Sequence, residues 1–541
     1  FIGAAAFSIL GYFYFKTKIL TLLLLLNIIL HLPGALAPVV SLDGLTYHLT
    51  LPKLYLQAHK IYSVNFLFYS FFPQFSETLF LYGLSLASPE FAQIFHYFFY
   101  VLTLLLICLF SQKIIKNIFF AILTALAFAS TPAINRLAGY IKTEFILIFF
   151  ICFSLYYLFL FFQTSEKKHL FYSAIFSAIA NNVKYHGLIH SLIFIAILMF
   201  LFASKKIKIK TAVCAVFLLL LLSSPFYIKN YLDIGNPFYP FLCKYFNIKN
   251  IVSDEKNETQ YIQEKSASMV RHFSEKKITG SPVISAIKFP YIVSIKFQTY
   301  DFWKYALSPL FFVFLCYIII AVILKKETYC FYIFTFYIFA FIYLIYFNAP
   351  RARYVLPIYP IICVFGIYAF NSFMAQYPKL FRANIIIFFF IILINYPLLA
   401  AQHFTRYKVL FGFETKNEYL AKRMYSDGEF YQAIQWCNAN LKNTDLLFVT
   451  HQLSFYFDIP VILGYTPNLT LSPINNINVY NELDFLEKLK KNNVSHIFYS
   501  HKFAVRFSYD IVEHIEKLQR QNYLIPLKEF NNNTIYLINY K

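Results

Sequence analysis

The chain has 541 residues, of which 59% are hydrophobic, 21% aromatic and only 13% charged. Ordinary globular domains run near ~45–50% apolar and ~25% charged, so a water-soluble chain of several domains is excluded. Lys and Arg outnumber Asp and Glu by 47 to 26, for a net charge of +21, but charge this sparse excludes a basic nucleic-acid binder with a solvated surface.

Apolar runs recur at 1–15, 19–40, 89–111, 118–137, 141–162, 170–183, 187–204, 211–229, 306–324, 328–347, 355–375 and 383–401. Each is long enough, or nearly so, to cross a ~30 Å hydrocarbon core as a helix. The pattern predicts a polytopic all-α membrane protein of about 12 transmembrane helices with a small C-terminal extracytoplasmic α/β domain. The eight cysteines form no CxxC pair and only Cys243 and Cys437 fall outside apolar runs, which gives no zinc signature and no disulfide framework.

Lysine placement predicts the orientation. Lys16 and Lys18, Lys113 and Lys116, Lys167 and Lys168, the 205–210 cluster, Lys325 and Lys326, and Lys379 with Arg382 fall at every second connection. The positive-inside rule makes these the cytoplasmic turns. The outward connections are then 41–88, 138–140, 184–186, 230–305, 348–354 and the tail from 402. With a diderm cell as the setting, the location is the inner membrane and the tail is periplasmic.

From about 402 the composition turns mixed and charged. Ser426 to Glu429 reads as a capping box opening an amphipathic helix through Leu441. Residues 445–450, 495–500 and 534–540 are β-type runs, whereas 482–491 and 509–520 have helical period. The organisation is therefore an extra N-terminal segment (1–18), a membrane module (19–401) with outer loops 41–88 and 230–305, and an α/β domain (402–541).

Ionisable groups at the outer boundary are few, and charge beside hydrocarbon is retained mostly for function or snorkelling. The first loop carries Asp43, Tyr47 and His48, then Pro73 and Glu77. Asp43 closely follows a span, and a carboxylate there either caps the next helix or does chemistry. Glu144 heads a span from the outer side, as a functional carboxylate or in an ion pair with Lys142 or Arg136. Lys184, His186, Arg351, Arg353 and Tyr354 lie at two other outward turns. Outer cations run against the positive-inside bias, and a lipid phosphate to bind is a physical reason for them; snorkelling is the alternative.

Five stretches, taken in order, resemble the GT-C superfamily of membrane glycosyltransferases. They are Asp43-Gly44-Leu45-Thr46-Tyr47-His48 with Pro52; Pro73 with Glu77; Val183-Lys184-Tyr185-His186-Gly187; Ser224-Pro225-Phe226-Tyr227-Ile228-Lys229-Asn230 running into 235–240; and Arg353-Tyr354-Val355-Leu356-Pro357 with Pro360. The branch resembled is the bacterial one of phospholipid carrier-dependent enzymes, similar to protein O-mannosyltransferases and the lipid A aminoarabinose transferase. That family often has two adjacent acids in the first loop. Here Gly44 follows Asp43, which leaves Glu77 or Glu144 as the second acid. The resemblance implies transfer of a hexosyl or pentosyl unit from a polyprenyl-phosphate donor to a lipid, glycan or protein acceptor on the outer face. It implies Asp43, Glu77 and Glu144 as catalytic candidates. Tyr47, His48, Lys184, His186, Arg351, Arg353 and Tyr354 are the implied substrate contacts. Whether a divalent metal takes part stays open; Asp43, Glu77, Glu144 and His48 could ligate one, though their spacing is not diagnostic.

Three other readings compete. A secondary transporter would show inverted repeats and polar residues at the membrane midplane; here no repeat is visible and the polar residues gather at one face. An O-antigen ligase or polymerase would place its large outer loop between late helices. A non-catalytic export subunit would release no polyprenyl phosphate from a lipid-linked sugar.

Overall fold

The structure, a computed structural model, describes residues 2–64, 66–242, 245–246, 282–295, 306–324, 327–348, 351–374, 377–424, 428–464, 481–507 and 509–540. Outside them lie Cys243, Lys325, Lys326, Ser426 and Asp427 of the expected capping box, and much of the expected 230–305 loop. The chain divides into two compact units. One draws its described residues from Phe1–Leu36, Ile94–Pro225 and His272–Tyr407; the other from Ala37–Gln93, Phe226–Arg271 and Lys408–Lys541.

The first unit is helical. Eight of the helices described in the chain are long and apolar enough to cross a bilayer, from Thr17–Leu36 to Ala383–Leu410. Several expected runs came out differently. The runs 1–15 and 19–40 share one helix, Ile2–Leu36, with no turn at Lys16 and Lys18, because 12–31 holds neither Gly nor Pro to break it. The run 118–137 is a pair of helices, Ile118–Ala129 and Pro132–Ala138, bent by 76°. Pro132 stands at the start of the second, where its missing N–H costs no helical bond. The runs 170–183 and 306–324 are the helices Lys167–Val183 and Pro309–Ile323, of 17 and 15 residues. Ser308 caps the latter by accepting from the Leu310 amide at 3.2 Å.

Small hydroxyl residues bring these helices together. The Ser154 hydroxyl lies 2.9 Å from that of Ser173 and 3.1 Å from that of Ser177. His190 bonds Ser177 at 2.7 Å through one ring nitrogen and the Tyr337 hydroxyl at 2.7 Å through the other. All five are fully buried or nearly so. Serines permit close helix approach, and a closed set of bonds leaves no polar atom unsatisfied in an apolar interior. At Gly366 a Cβ would overlap the Phe314 side chain, so the helices Pro309–Ile323 and Tyr359–Met374 meet through a glycine.

The second unit holds the α/β tail. Its strands are β1 (Leu447–Val449), β2 (Val461–Leu463), β3 (His496–Ser500), β4 (Leu524–Phe530) and β5 (Asn533–Ile538). They form one sheet in the order β2-β1-β3-β5-β4. The pairs β1–β2 and β1–β3 are parallel, whereas β3–β5 and β4–β5 are antiparallel. Helices Glu482–Lys491 and Tyr509–Arg520 place Phe485, Leu489, Ile511 and Ile515 against Phe448, Ile497 and Tyr536. The first loop belongs to this unit and is tied to the tail. The Lys53 ammonium donates to the Phe455 and Phe457 carbonyls at 2.9 and 2.6 Å, and the Tyr456 hydroxyl donates to the Val39 carbonyl at 2.9 Å.

His451, buried between Phe430 and Phe503 with ring centroids 4.3 and 4.1 Å away, has its pKa pulled from 6.5 to about 3 by burial. Its Nδ1 accepts from the Leu453 amide at 3.1 Å. The unfolded chain binds a proton there that the native chain does not, so this contribution to stability is complete above pH 6.5. It falls as the pH drops towards 3. Moving from pH 7 to pH 5 should cost about 2 kcal/mol through this group. In His451→Phe the loss between those two pH values, measured by chemical unfolding of the full chain in detergent, should shrink by that amount; an unchanged pH dependence would disprove it.

Candidate active site

In the second unit, the residues after Asp43 form a π-helical turn, Gly44–His48. The Leu49 amide donates to the Gly44 carbonyl at 2.9 Å, one residue further back than in an α-helix. That shift strands the Leu45 carbonyl, and the Thr50 hydroxyl takes it up at 2.8 Å. Such single-turn bulges are retained mostly where they aim a side chain. This one presents His48 to Glu77: Nδ1 of the ring lies 2.6 Å from Oε1 of the carboxylate, both side chains being almost fully buried. Glu77 Oε2, also buried, has no hydrogen-bond partner among the described residues. Tyr47 stacks on Tyr69 with centroids 3.9 Å apart and rings within 12° of parallel. Asp43 is half-buried, and its side chain does not cap the turn that follows. The capping reading of Asp43 therefore fails.

In the first unit, three turns expected from the sequence to face outward converge. Glu144 is buried at the head of Glu144–Thr164, and its carboxylate accepts from Lys184 at 3.2 Å. Lys184 is thus an ion-pair partner of Glu144, and the charges of Lys142, Arg353 and His96 also act on it. Lys184 follows the last residue of Lys167–Val183 in extended conformation, which frees its side chain from the helix axis. Tyr354 is the centre of the group. Lys184, Arg353 and Arg351 stand 5.5, 5.2 and 6.0 Å from its ring centroid, and the His186 ring lies at 4.4 Å. An aromatic face attracts cations through its quadrupole, so one ring holds three of them near one another. A 3₁₀ stretch, Leu356–Ile358, with Pro357 inside it follows the arginines.

The structure thus brings together Glu144, Lys184, His186, Arg351, Arg353 and Tyr354, and separately His48 with Glu77. Sequence reasoning missed His96, whose Nε2 accepts from the Phe145 amide at 3.3 Å, and Tyr69. It also missed a cavity of about 400 Å³ in the second unit, walled by Lys53, Gln57, Tyr431, Gln435, Phe455 and Asp458. Burial pulls Lys53 below its ordinary pKa there, against the opposing pull of Asp458 at 3.6 Å. No sequence motif marks that wall. Among the described residues no group of three or more His, Cys, Asp or Glu side chains is placed to hold a metal ion.

A family model described as a domain of unknown function (DUF8201) matches residues 146–360. No curated protein matches the chain. Among solved structures, the crystal structure of ArnT from Cupriavidus metallidurans bound to undecaprenyl phosphate is similar, with 10% identity and a TM-score of 0.58 over 96% of this chain and 98% of that one. The same protein in the apo state gives 11% identity and a TM-score of 0.56 over 98% of each chain. At this identity the likeness is one of fold, and it is the GT-C-like fold expected from the five stretches.

The His48–Glu77 pair yields a stability test. Glu77→Leu should leave His48 buried without its acceptor and cost about 3–5 kcal/mol, as is usual when one member of a buried pair is removed. Replacing both residues by Leu should recover part of that cost, measured as a double-mutant cycle by chemical unfolding in detergent. Additive losses would show that the two do not interact.

Proposed function

We propose that this protein transfers a sugar from a polyprenyl-phosphate donor to an acceptor on the outer face of the cytoplasmic membrane, within the lipid-carrier-dependent branch of GT-C enzymes. The observation that carries the reading is the gathering of Lys184, Arg351 and Arg353 about Tyr354, beside Glu144, at the ends of spans. Cations at that depth suit a phosphate whose isoprenoid tail lies in lipid. The fold supports it too, being that of a protein solved with undecaprenyl phosphate bound.

In the reaction, an acceptor hydroxyl oxygen forms a bond to the anomeric carbon. The bond from that carbon to the phosphate oxygen breaks, and polyprenyl phosphate leaves with the electron pair. The leaving group is a stable anion, so cations holding it do more than a general acid would. Asp43 takes the acceptor proton as the new bond forms. Tyr47 and His48, on the turn that follows Asp43, bind the acceptor or the sugar, and Glu77 orients His48. Glu144 holds Lys184 in place.

Lys184→Met and Arg353→Met should each weaken donor use about 10–100-fold, the worth of one charge-assisted bond, with membrane insertion normal. Asp43→Asn should lower turnover about 10²–10⁴-fold with donor binding retained. Release of polyprenyl phosphate from a radiolabelled lipid-linked sugar measures both. Full activity in all three variants would remove the assignment. For orientation, a cysteine at Lys206 should be shielded from an impermeant thiol reagent in intact cells, and one at Lys491 labelled. The reverse pattern would put the chemistry on the cytoplasmic side.

A further inference from the structure

A second cationic group in the first unit shares no residue with the Tyr354 cluster. Tyr140, just beyond the helix Pro132–Ala138, has an arginine against each of two approaches: Arg136 stands 4.7 Å and Arg406 4.2 Å from its ring centroid. Arg406 is 4% exposed. Its guanidinium lies so close to Gly34 and Gly139 that a Cβ on either would overlap it. Of its five donors, one is used within the described residues: Nη1 donates to His403 Nδ1 at 2.7 Å. No carboxylate among the described residues pairs with Arg136 or Arg406. Two positive charges about one ring, one of them buried, therefore have no counter-ion in the described chain.

His403 adds an independent observation. Because Nδ1 accepts from Arg406, the ring proton sits on Nε2. That nitrogen is buried with no hydrogen-bond partner among the described residues. An unused N–H donor therefore stands beside a guanidinium with unused donors. Helix C-termini, such as that of Pro132–Ala138, offset part of a cation's cost, but a dipole end is a fraction of a charge and accepts none of these bonds. Buried ions are ordinarily paired.

From these groups we infer that Arg136, Arg406 and His403 bind a phosphate-bearing anion, with Tyr140 as the ring that holds the two guanidiniums in place. A planar guanidinium presents paired N–H donors to two oxygens of one phosphate, and a third oxygen is left for the imidazole. Gly34, Gly139 and Arg406 all stand near the C-terminal ends of helices: Thr17–Leu36, the bent pair ending at Ala138, and Ala383–Leu410. Span ends lie at the depth of lipid headgroups, so the anion's source is either a membrane phospholipid or free phosphate.

The test uses the full chain, delipidated in detergent, in an Arg353→Gln background that weakens the other cationic cluster. Inorganic phosphate and short-chain phosphatidylglycerol are titrated separately, read by thermal melting and native mass spectrometry, with diacylglycerol as the phosphate-free control. Saturable binding of phosphatidylglycerol alone identifies the lipid as the source, and binding of phosphate alone identifies the soluble anion; binding of both assigns the site to the phosphate group itself. In each case Arg136→Gln should weaken binding about tenfold or more. Arg406→Lys, which keeps the charge at the helix end but loses the fork, should do the same. Absence of saturable binding overturns the inference, as does binding unchanged by Arg136→Gln, the variant at the less buried position. Because Arg353 is already replaced, these outcomes do not depend on the donor site proposed above.

Discussion

Hydrocarbon offers an ionised side chain no water, so each charge at the end of a span has to be met by protein. That constraint explains why aromatic residues, 21% of this chain, do more than fill space. Where carboxylates are scarce, ring faces take their place: Tyr354 holds Lys184, Arg351 and Arg353, and Tyr140 holds Arg136 and Arg406. A ring attracts cations without neutralising them. The result is a set of cations kept near one another.

The same scarcity of water governs the backbone. Several departures from regular helix come with a substitute bond or with a residue that needs none. Pro132 restarts a helix where its absent N–H is no loss, Ser308 and Asn117 cap the helices that follow them, and the Thr50 hydroxyl takes the carbonyl stranded by the π-turn. That last exchange links local chemistry to the site, since the wider turn brings His48 to Glu77. His190 and its serines apply the same rule between helices, each polar atom meeting another.

The tail obeys different physics. Its sheet is built from short strands over an ordinary apolar core, and some of its charges sit in exposed i,i+4 pairs such as Lys517 with Glu513, which contribute little in water. Other polar ties reach the first loop and the helix that follows it, where Lys53 and Glu90 meet partners in 416–458. The loop carrying Asp43, His48 and Glu77 is thereby anchored to a folded domain, which limits how far those side chains can wander.

Much of this was legible in the sequence because it rests on local period and on cost. Run length and sparse charge required a membrane protein, β-type runs marked β1, β3 and β5, and helical period marked 482–491 and 509–520. The strands β2 and β4 escaped notice, one being three residues long and the other an edge strand whose Pro526, Lys528 and Glu529 are exposed. Scarcity likewise singled out Glu144, Lys184, His186, Arg351, Arg353 and Tyr354 one at a time. Their partners were not legible: Lys184 is 40 residues from Glu144, and Glu77 is 29 from His48. A sequence shows that a charge near hydrocarbon must be met, because that cost belongs to the residue. Which group meets it depends on how helices distant in the chain pack, and only the tertiary structure decided that.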